Sequence, residues 1–224
     1  MQIHLNQKLL GANEKVASEN RKRMEEKGVF LLNLMSSPGA GKTTVLEKTL
    51  PLFKERLAVA VIEGDIATLR DAERIAALKV PVVQINTHGA CHLDATMIQS
   101  VLDQFDLDQL DLLIAENVGN LVCPAEFDLG EAAKVVLLST TEGNDKIPKY
   151  PLMFREADGL LINKIDLLPF TDFSLEEVAR DLKKINPLLP TFPVSARTGE
   201  GLEAWIDWLL TKMQERRESS SVRP

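Results

Sequence analysis

A glycine-rich segment early in the chain has the composition of a phosphate-binding loop. Residues 36–44 read Ser-Ser-Pro-Gly-Ala-Gly-Lys-Thr-Thr and lie between an apolar run and a helical pattern. Glycines let backbone N–H groups converge on phosphate oxygens. The N-terminus of the following helix stabilises the negative charge of those oxygens. Lys42 is predicted to reach the β- and γ-phosphates and Thr43 to bind Mg²⁺. Ser36 replaces the usual first glycine, and the alternative is an ordinary strand–helix turn. The predicted nucleotide contacts here are Pro38, Gly39, Ala40, Gly41, Lys42, Thr43 and Thr44.

A second motif, residues 163–166, follows a late apolar run and predicts selection of guanine. The Asp166 carboxylate can accept the two N–H groups on one edge of guanine, whereas the ring nitrogen of adenine would repel it. Asn163 can hydrogen-bond the base, and the Lys164 stem can cover its face. Ser195 and Ala196 follow the next strand, where backbone N–H groups can contact the base oxygen. A plain turn is the alternative for that pair.

Acidic residues end two further apolar runs. Asp65 and Glu116 are expected at the carboxyl edge of a sheet, where ligands of α/β proteins bind. Either residue can hold Mg²⁺, directly or through water, or orient the attacking water. With Lys42 they form the predicted catalytic set, and Gly119 permits a loop to approach the γ-phosphate. The alternative is ordinary solvated carboxylates, and Asp71 is a weaker candidate that can simply begin a helix.

Both cysteines of the chain lie just beyond runs that end at the same predicted edge. Cys91 and His92 are adjacent, and Cys123 follows later. Thiolate and imidazole favour Zn²⁺, Ni²⁺ or copper over Mg²⁺. Three ligands leave a tetrahedral set incomplete, which a two-fold dimer could complete. The alternative is small buried cysteines with a structural histidine. His88 is a possible further ligand, and His4 is expected at the surface.

The elements that must position these residues alternate along the chain. Apolar runs predict strands at 29–35, 57–63, 80–86, 110–116, 134–140, 159–163 and 191–195, and helical patterns fall at 42–56, 70–78, 93–105, 174–185 and 202–215. This alternation predicts an α/β fold, a mostly parallel sheet flanked by helices on both faces. Residues 1–28 are expected to form a helical extension, with Asn13 capping a helix over 14–27 that ends at Gly28. Residues 29–215 form the predicted nucleotide-binding domain, and 216–224 a disordered tail.

Bulk composition narrows the function classes. Apolar residues make up 45% of the 224 residues, enough for a core, and the formal charge of −7 does not favour nucleic acid or an anionic membrane. No apolar run reaches the roughly 20 residues of a membrane span, and the N-terminus does not resemble a secretory signal. Two cysteines are too few for a disulfide scaffold. A soluble cytoplasmic protein is expected.

The combined motifs resemble those of the HypB family, GTPases that assist nickel insertion into [NiFe]-hydrogenase. The resemblance covers most of residues 29–210. It rests on the segments 36–44, 63–65, 91–94, 116–124, 142–146, 149–151 and 163–166. It implies a P-loop NTPase fold, hydrolysis of GTP to GDP with Mg²⁺, and a nickel or zinc site from Cys91, His92 and Cys123 at the interface of a nucleotide-dependent homodimer. It also implies that Lys149 or nearby residues reach toward the other subunit or its nucleotide. Slow intrinsic turnover is expected, because no arginine finger or catalytic glutamine stands out in the sequence. The implied partners are a HypA-type nickel metallochaperone and, indirectly, the hydrogenase large-subunit precursor.

One departure from that pattern bears on metal storage. Some relatives carry an N-terminal cysteine motif or a His-rich stretch, whereas residues 1–28 contain no Cys and only His4. We expect no N-terminal storage site, so that metal handling rests on the site within the domain. Competing interpretations are a urease-type or other metallocentre-maturation GTPase, a nucleotide-gated metal-binding module with little turnover, and a translational or signalling GTPase without a metal.

Overall fold

Apolar runs with few polar interruptions form the strands, as expected where a sheet is covered on both faces. The computed structural model of the protein describes residues 2–66 and 70–221. The strands are β1 (Phe30–Ser36), β2 (Val59–Asp65), β3 (Val82–Asn86), β4 (Leu112–Glu116), β5 (Ala133–Ser139), β6 (Gly159–Asn163) and β7 (Thr191–Pro193). All seven predicted strands are therefore confirmed, with ends within two residues of the predicted ones.

The strands form a single parallel sheet in the order β3-β2-β4-β1-β5-β6-β7. β1 lies between β4 and β5, so the chain moves to opposite sides of β1 as it proceeds. In open α/β sheets such a reversal leaves a crevice at the carboxyl ends of the strands, where ligands bind. The predicted α/β fold is confirmed, and the phosphate loop leaves β1 at this crevice.

Helices cover both faces of the sheet. They are α1 (Gln2–Lys27), α2 (Lys42–Lys54), α3 (Arg70–Ala76), α4 (Ala95–Val101), α5 (Cys123–Glu126), α6 (Lys146–Lys149), α7 (Pro151–Arg155), α8 (Leu175–Ile185) and α9 (Leu202–Ser221). The five helices predicted between strands correspond to α2, α3, α4, α8 and α9. Of the helices described, none combines the length and apolar character needed to cross a bilayer.

Alternate residues of each strand point to opposite faces, so the sheet has two apolar cores. On one face, Leu32 and Leu34 of β1 pack with α2, α3 and α9, where Trp205 is buried. On the other face, Leu31 packs with α1 and α4, while α5 to α8 cover the half of the sheet around β5 and β6. Both layers keep the strands rigid beneath the carboxyl-end loops.

The N-terminal helix differs from its prediction at its start. The prediction that Asn13 caps a helix over 14–27 is wrong, because α1 begins at Gln2 and Asn13 lies inside it. Its side chain instead joins other elements: Nδ2 donates to the Asp128 carbonyl at 2.7 Å, and Oδ1 accepts from the Ala95 amide at 2.9 Å. The predicted end at Gly28 is confirmed, with a left-handed φ of +68° that suits glycine. The extension is therefore packed against the sheet domain.

The C-terminal helix is longer than predicted. The prediction that the chain is disordered from residue 216 onward is wrong as far as Ser221, because α9 continues to that residue. Residues 222–224 lie outside the described part of the chain. Arg216, Arg217 and Glu218 are good helix formers, so they continue the preceding pattern. Arg216 also pairs with Glu25 at 3.0 Å and Arg217 with Asp111 at 2.5 Å. Such exposed pairs add little energy each, but they fix the direction of the last turns.

Candidate functional site

The phosphate loop has the backbone that anion binding requires. Gly39 and Gly41 adopt positive φ values of +76° and +102° between β1 and α2. The Lys42 ammonium donates to the Ser36 hydroxyl at 2.9 Å, so the serine at the usual glycine position holds the lysine within the loop. Thr44 accepts from Arg74 at 3.1 Å. The loop predicted from sequence therefore lies at the centre of the crevice, with its lysine directed inward.

The predicted magnesium ligands come together across the sheet. Thr43 Oγ1 donates to Glu116 Oε1 at 2.9 Å, although the two residues are far apart in sequence. Asp65 ends the neighbouring strand β2 and lines the same cleft as Lys42 and Glu116. Asp71, in the first turn of α3, also lines this cleft and pairs with Arg74. These four acidic and hydroxyl side chains form an oxygen-rich pocket beside the phosphate loop.

Glu63 is a site residue that the sequence interpretation missed. It pairs in register with Glu116 across β2 and β4, and both carboxyls are buried. Burial, reinforced by Glu116, raises the pKa of Glu63 to about 11, and burial also raises the pKa of Glu116 against the opposing effect of Lys42. One oxygen of each carboxyl accepts no hydrogen bond from the described residues. These unsatisfied buried oxygens fit a site for a divalent cation. The positive charge of the cation would stabilise the two carboxyl groups in their ionised form.

The signal for Glu63 was an acidic residue inside an otherwise apolar strand. The sequence Val-Ala-Val-Ile-Glu-Gly-Asp places Glu63 two positions before Asp65, on the same face of β2. A buried carboxylate without a partner is costly, so its presence within a core strand indicates a functional partner. Recognising that partner required the register between β2 and β4.

The predicted base-recognition residues lie at the carboxyl ends of β6 and β7. Ser195 Oγ donates to Asp166 Oδ1 at 2.6 Å, which orients this carboxylate. Asn163 is buried, donates to the Ala40 carbonyl at 3.0 Å and accepts from the Ala196 amide at 3.0 Å. Its amide thus joins the phosphate loop to the loop after β7. The contact between Asn163 and a base stays a prediction.

Lys164 completes this arrangement. It has a left-handed φ of +64°, and its ammonium donates to the Gly39 carbonyl at 2.8 Å. The Lys164 stem therefore runs from the base-recognition loop back to the phosphate loop. Glu142, after β5, accepts a short hydrogen bond from Ser37 and another from the Ser139 amide at 3.0 Å. The phosphate loop is thus held from the segments that follow β5 and β6.

A close backbone approach connects the loop after Glu116 to the phosphate loop. A Cβ atom built on Gly119 would lie 2.9 Å from the Cα and N atoms of Pro38, nearer than packing allows. Only glycine permits this approach, which agrees with the predicted place of Gly119 beside the phosphates. The same loop continues to Cys123, the first residue of α5.

The predicted soft ligands form one cluster. The Sγ atoms of Cys91 and Cys123 lie 3.1 Å apart, and Cys91 Sγ lies 3.8 Å from His92 Nδ1. One ligand atom from each of the three residues lies within 4.8 Å of the others, and all three side chains are half-buried. Both thiols are free. The spacing and ligand types suit a thiophilic metal with an open coordination position.

The surroundings of this cluster tune its protonation. Burial raises the pKa of Cys123, and the adjacent Cys91 adds to that shift. Burial lowers the pKa of His92, whose ring packs on Phe127 with centroids 4.0 Å apart, so the neutral, metal-binding form of the imidazole is favoured. The Asn120 side chain donates to the Cys91 carbonyl at 3.3 Å and thereby connects the two cysteine loops.

Two of the predicted residues, His88 and Lys149, lie outside this cluster. The prediction of His88 as a further ligand is wrong for this conformation: it is exposed, has a φ of +49° and lies outside the cluster found among the described residues. Its backbone is held in a local turn, in which the His88 amide donates to the Asn86 side chain at 2.9 Å. Lys149 is exposed and paired with Asp145 at 2.5 Å. The surface position expected for His4 falls on a side chain outside the described part.

Comparison with known proteins agrees with this geometry. Residues 30–193 match the family model described as "CobW/HypB/UreG, nucleotide-binding domain". The chain is 52% identical to the hydrogenase maturation factor HypB of Azotobacter vinelandii over 207 residues, covering 92% of this chain and 68% of that protein.

Two solved structures are similar over nearly their whole length. HypB from Helicobacter pylori, crystallised in complex with nickel, shares 43% identity at a TM-score of 0.86, covering 91% of this chain and 96% of that one. The hydrogenase maturation factor HypB from Archaeoglobus fulgidus shares 38% identity at a TM-score of 0.85, covering 91% and 99%. Together with the P-loop sheet and the joined motifs described above, these likenesses show that the chain belongs to the HypB family of CobW/HypB/UreG nucleotide-binding proteins.

Proposed function

We propose that this protein is a GTP-hydrolysing metallochaperone that carries nickel for the maturation of [NiFe]-hydrogenase. It would work as a nucleotide-dependent homodimer, receive nickel from a HypA-type partner and act indirectly on the hydrogenase large-subunit precursor. Its free thiols suit a reducing compartment such as the cytoplasm.

One observation carries the proposal: a soft-ligand cluster shares a loop with the nucleotide crevice. Cys123 lies seven positions after Glu116, whose carboxyl accepts a hydrogen bond from Thr43 of the phosphate loop. Cys91 and His92 complete the cluster from the loop after β3. A nucleotide-binding site and a metal-binding site so connected support a metal carrier controlled by nucleotide.

The crevice has the parts needed for phosphoryl transfer to water. Lys42 would stabilise charge on the β- and γ-phosphates, and Thr43, Asp65 and Glu116 would hold Mg²⁺ directly or through water. Bound Mg²⁺ would neutralise charge that develops on the phosphate oxygens. Asp65 and Glu116 are also the candidates to orient the attacking water. Slow turnover is expected, because no arginine of the described residues was found in the lining of the cleft.

Guanine specificity would reside in Asp166. Ser195 occupies one of its oxygens, so the other is available for the N1–H and amino groups of guanine. Asn163 and Lys164 position the loop through their bonds to Ala40 and Gly39. A base without those donors would leave the second oxygen of Asp166 without a partner, which is costly in a partly buried site.

The metal cluster fits a cargo that must leave again. Three ligands from one chain leave a coordination position for water, a partner's ligand or a second copy of the chain. Thiolate and imidazole bind Ni²⁺ and Zn²⁺ alike, so zinc is the competing cargo. We propose that GTP orders the loops after Asp65 and Glu116, tightening the cluster, and that hydrolysis loosens it.

The testing experiment measures hydrolysis and nickel binding on the same protein. Phosphate release from GTP, with ATP as control, should show guanine-specific turnover that requires Mg²⁺. Nickel titration against a chromophoric chelator should give stoichiometric binding, tighter with a non-hydrolysable GTP analogue than with GDP. Light scattering after size exclusion should show a dimer with the analogue. Absence of hydrolysis would reduce the protein to a nucleotide-gated metal-binding module, and identical nickel affinities in both nucleotide states would refute the metal-release cycle.

A further inference from the structure

A single buried hydrogen bond joins the two loops that carry the proposed sites. The Leu93 amide, directly after His92, donates to the Asn117 side-chain oxygen at 2.9 Å. Asn117 directly follows Glu116 and is itself buried. The bond therefore connects the residue after a cluster ligand to the residue after a carboxylate of the nucleotide crevice.

The Leu93 side chain makes a second contact with the crevice. A Cβ atom built on Gly64 would lie 2.8 Å from Leu93 Cγ, so the leucine packs directly on the β2 backbone between Glu63 and Asp65. Leu93 is fully buried. A displacement of the Asp65 strand end or of the Glu116 strand end must therefore move Leu93 or open a void, which close-packed interiors resist.

Asn117 is held from behind by a chain of buried polar groups. Its Oδ1 also accepts from the Val118 amide at 2.9 Å, and its Nδ2 donates to Asn33 Oδ1 at 3.1 Å. Asn33 in turn donates to Glu131 Oε1 at 3.2 Å. The bond from the Val118 amide holds the Asn117 oxygen beside the β4 strand end, whereas the bond to Asn33 uses only the amide nitrogen.

We propose that Asn117 is the positioning residue that couples nucleotide state to metal affinity, acting through the Leu93 amide. This inference rests on the proposed nucleotide-gated metal binding. Movement of the loop after Glu116 would pull Leu93, and the adjacent His92 and Cys91 would shift with it relative to Cys123. Asn117 lines the cleft, but both polar atoms of its side chain are bonded to protein groups, namely the Leu93 and Val118 amides and Asn33 Oδ1, so the proposed effect on metal affinity passes through the bond to Leu93.

The coupling ratio of the Asn117→Ala variant tests this role. The first coupling ratio compares the nickel dissociation constant with GDP to that with a non-hydrolysable GTP analogue. The second compares the dissociation constant of the analogue without nickel to that with nickel. Linkage requires the two ratios to agree within each protein. In the variant we expect both ratios to fall roughly fivefold, the factor that a typical buried hydrogen bond supports. Nickel affinity with GDP and analogue affinity without nickel should stay near wild-type values.

Asn33→Ala is the matched control, because it breaks the same polar chain at the Asn117 nitrogen but removes neither amide that donates to the Asn117 oxygen, from Leu93 and Val118. If Asn117 merely stabilises the fold, both variants should lose thermal stability and coupling together. We expect Asn33→Ala to lose stability and keep the coupling ratio. Loss of coupling in both variants would overturn the proposal.

Wild-type protein provides a test that does not depend on folding of a variant. Exchange of the Leu93 amide hydrogen should be slower with the GTP analogue than with GDP, and equal exchange would overturn the proposal. Equal nickel affinities in wild-type protein would overturn both this inference and the proposed release cycle. If the coupling ratio of the wild-type protein is well above 1 and the Asn117→Ala variant has the same ratio, only the role of Asn117 is overturned.

Discussion

The nucleotide crevice and the metal cluster lie on connected loops, yet they are built differently. Lys42, Thr43, Glu116 and Asn163 are buried and bonded to neighbouring elements at the ends of rigid strands. The three cluster residues are half-buried, and their ligand atoms contact chiefly one another.

This difference suits the two proposed roles, chemistry in the crevice and transfer of cargo at the cluster. Preorganised groups stabilise a transition state because they do not reorganise during the reaction. A carrier instead needs ligands that can exchange, and loops with few anchors allow that exchange. The comparison predicts that substitutions in the crevice cause large losses of nucleotide binding or hydrolysis. Substitutions at the cluster should leave nucleotide binding in the crevice unchanged.

The largest effect is expected for Asp166→Asn. The variant should lose GTP affinity and gain affinity for xanthosine triphosphate, because an amide can donate where the carboxylate only accepts. The ratio of the two affinities should change by about four orders of magnitude, as for sites built on buried polar matching. Competition binding with labelled nucleotide measures the ratio. The exposed Asp172→Asn variant serves as control, and a wild-type ratio in the Asp166 variant would remove the guanine assignment.

The next effect is expected for Lys42→Ala, which removes the charge directed at the phosphates. We expect the hydrolysis rate to fall about 10²–10³-fold, as for the loss of a preorganised electrostatic contact. Nickel binding without nucleotide should be unaffected, and Lys48→Ala, on the exposed face of α2, should match wild type in phosphate release. If the Lys42 variant lost nucleotide-free nickel binding, the separation between crevice and cluster would be wrong.

The sequence predicted the crevice better than the contacts that support it. The phosphate loop, Asp166 and the soft-ligand trio were identifiable because their spacing is local and their chemistry is restrictive. Glu63 was missed because its role depends on pairing with Glu116 across two strands, and strand register is not encoded locally. Asn117 and Asn33 were missed for the same reason, since buried amides have no sequence period.

The ends of the chain were the weakest part of the prediction. Asn13 was interpreted as a helix cap because asparagine favours that position, but its side chain holds Ala95 and Asp128 instead. The Arg- and Ser-rich tail was interpreted as disordered from composition alone. For Asn13, contacts with α4 and Asp128 outweighed the cap preference, whereas in the tail Arg216, Arg217 and Glu218 continue the helix-forming pattern of α9, and pairs with Glu25 and Asp111 only direct it.

A smaller effect, confined to the cluster, is expected for Cys91→Ala and Cys123→Ala. Each variant should lower nickel affinity by at least about a hundredfold, because even residues that only orient metal ligands cost 10–100-fold. GTP-analogue affinity without metal should stay at the wild-type value. The exposed His88→Ala variant is the control for changes near the same loop. Nickel binding that survives in both cysteine variants would remove the site assignment.

The smallest effect concerns the buried polar chain behind the crevice. Burial raises the pKa of Glu131 from 4.5 to about 7. The folded state therefore keeps a proton that the unfolded chain has released, so the contribution of this group to stability falls as pH rises from about 4.5 to 7. Between pH 6 and 8 the loss should be about 1 kcal/mol.

Urea unfolding of wild type and Glu131→Gln across that range isolates the effect, since the variant cannot ionise. As pH rises, the unfolding free energy of the wild-type protein should fall relative to that of the Glu131→Gln variant. The neighbouring Asp128, whose pKa is lowered, titrates below this window and does not contribute. A pH-independent difference would mean that Glu131 is ionised throughout, held by its bonds from Asn33 and the Leu129 amide. In that case an ionised Glu131 would anchor the series of hydrogen bonds that runs through Asn33 to Asn117, and the crevice would be more rigidly supported than its burial alone implies.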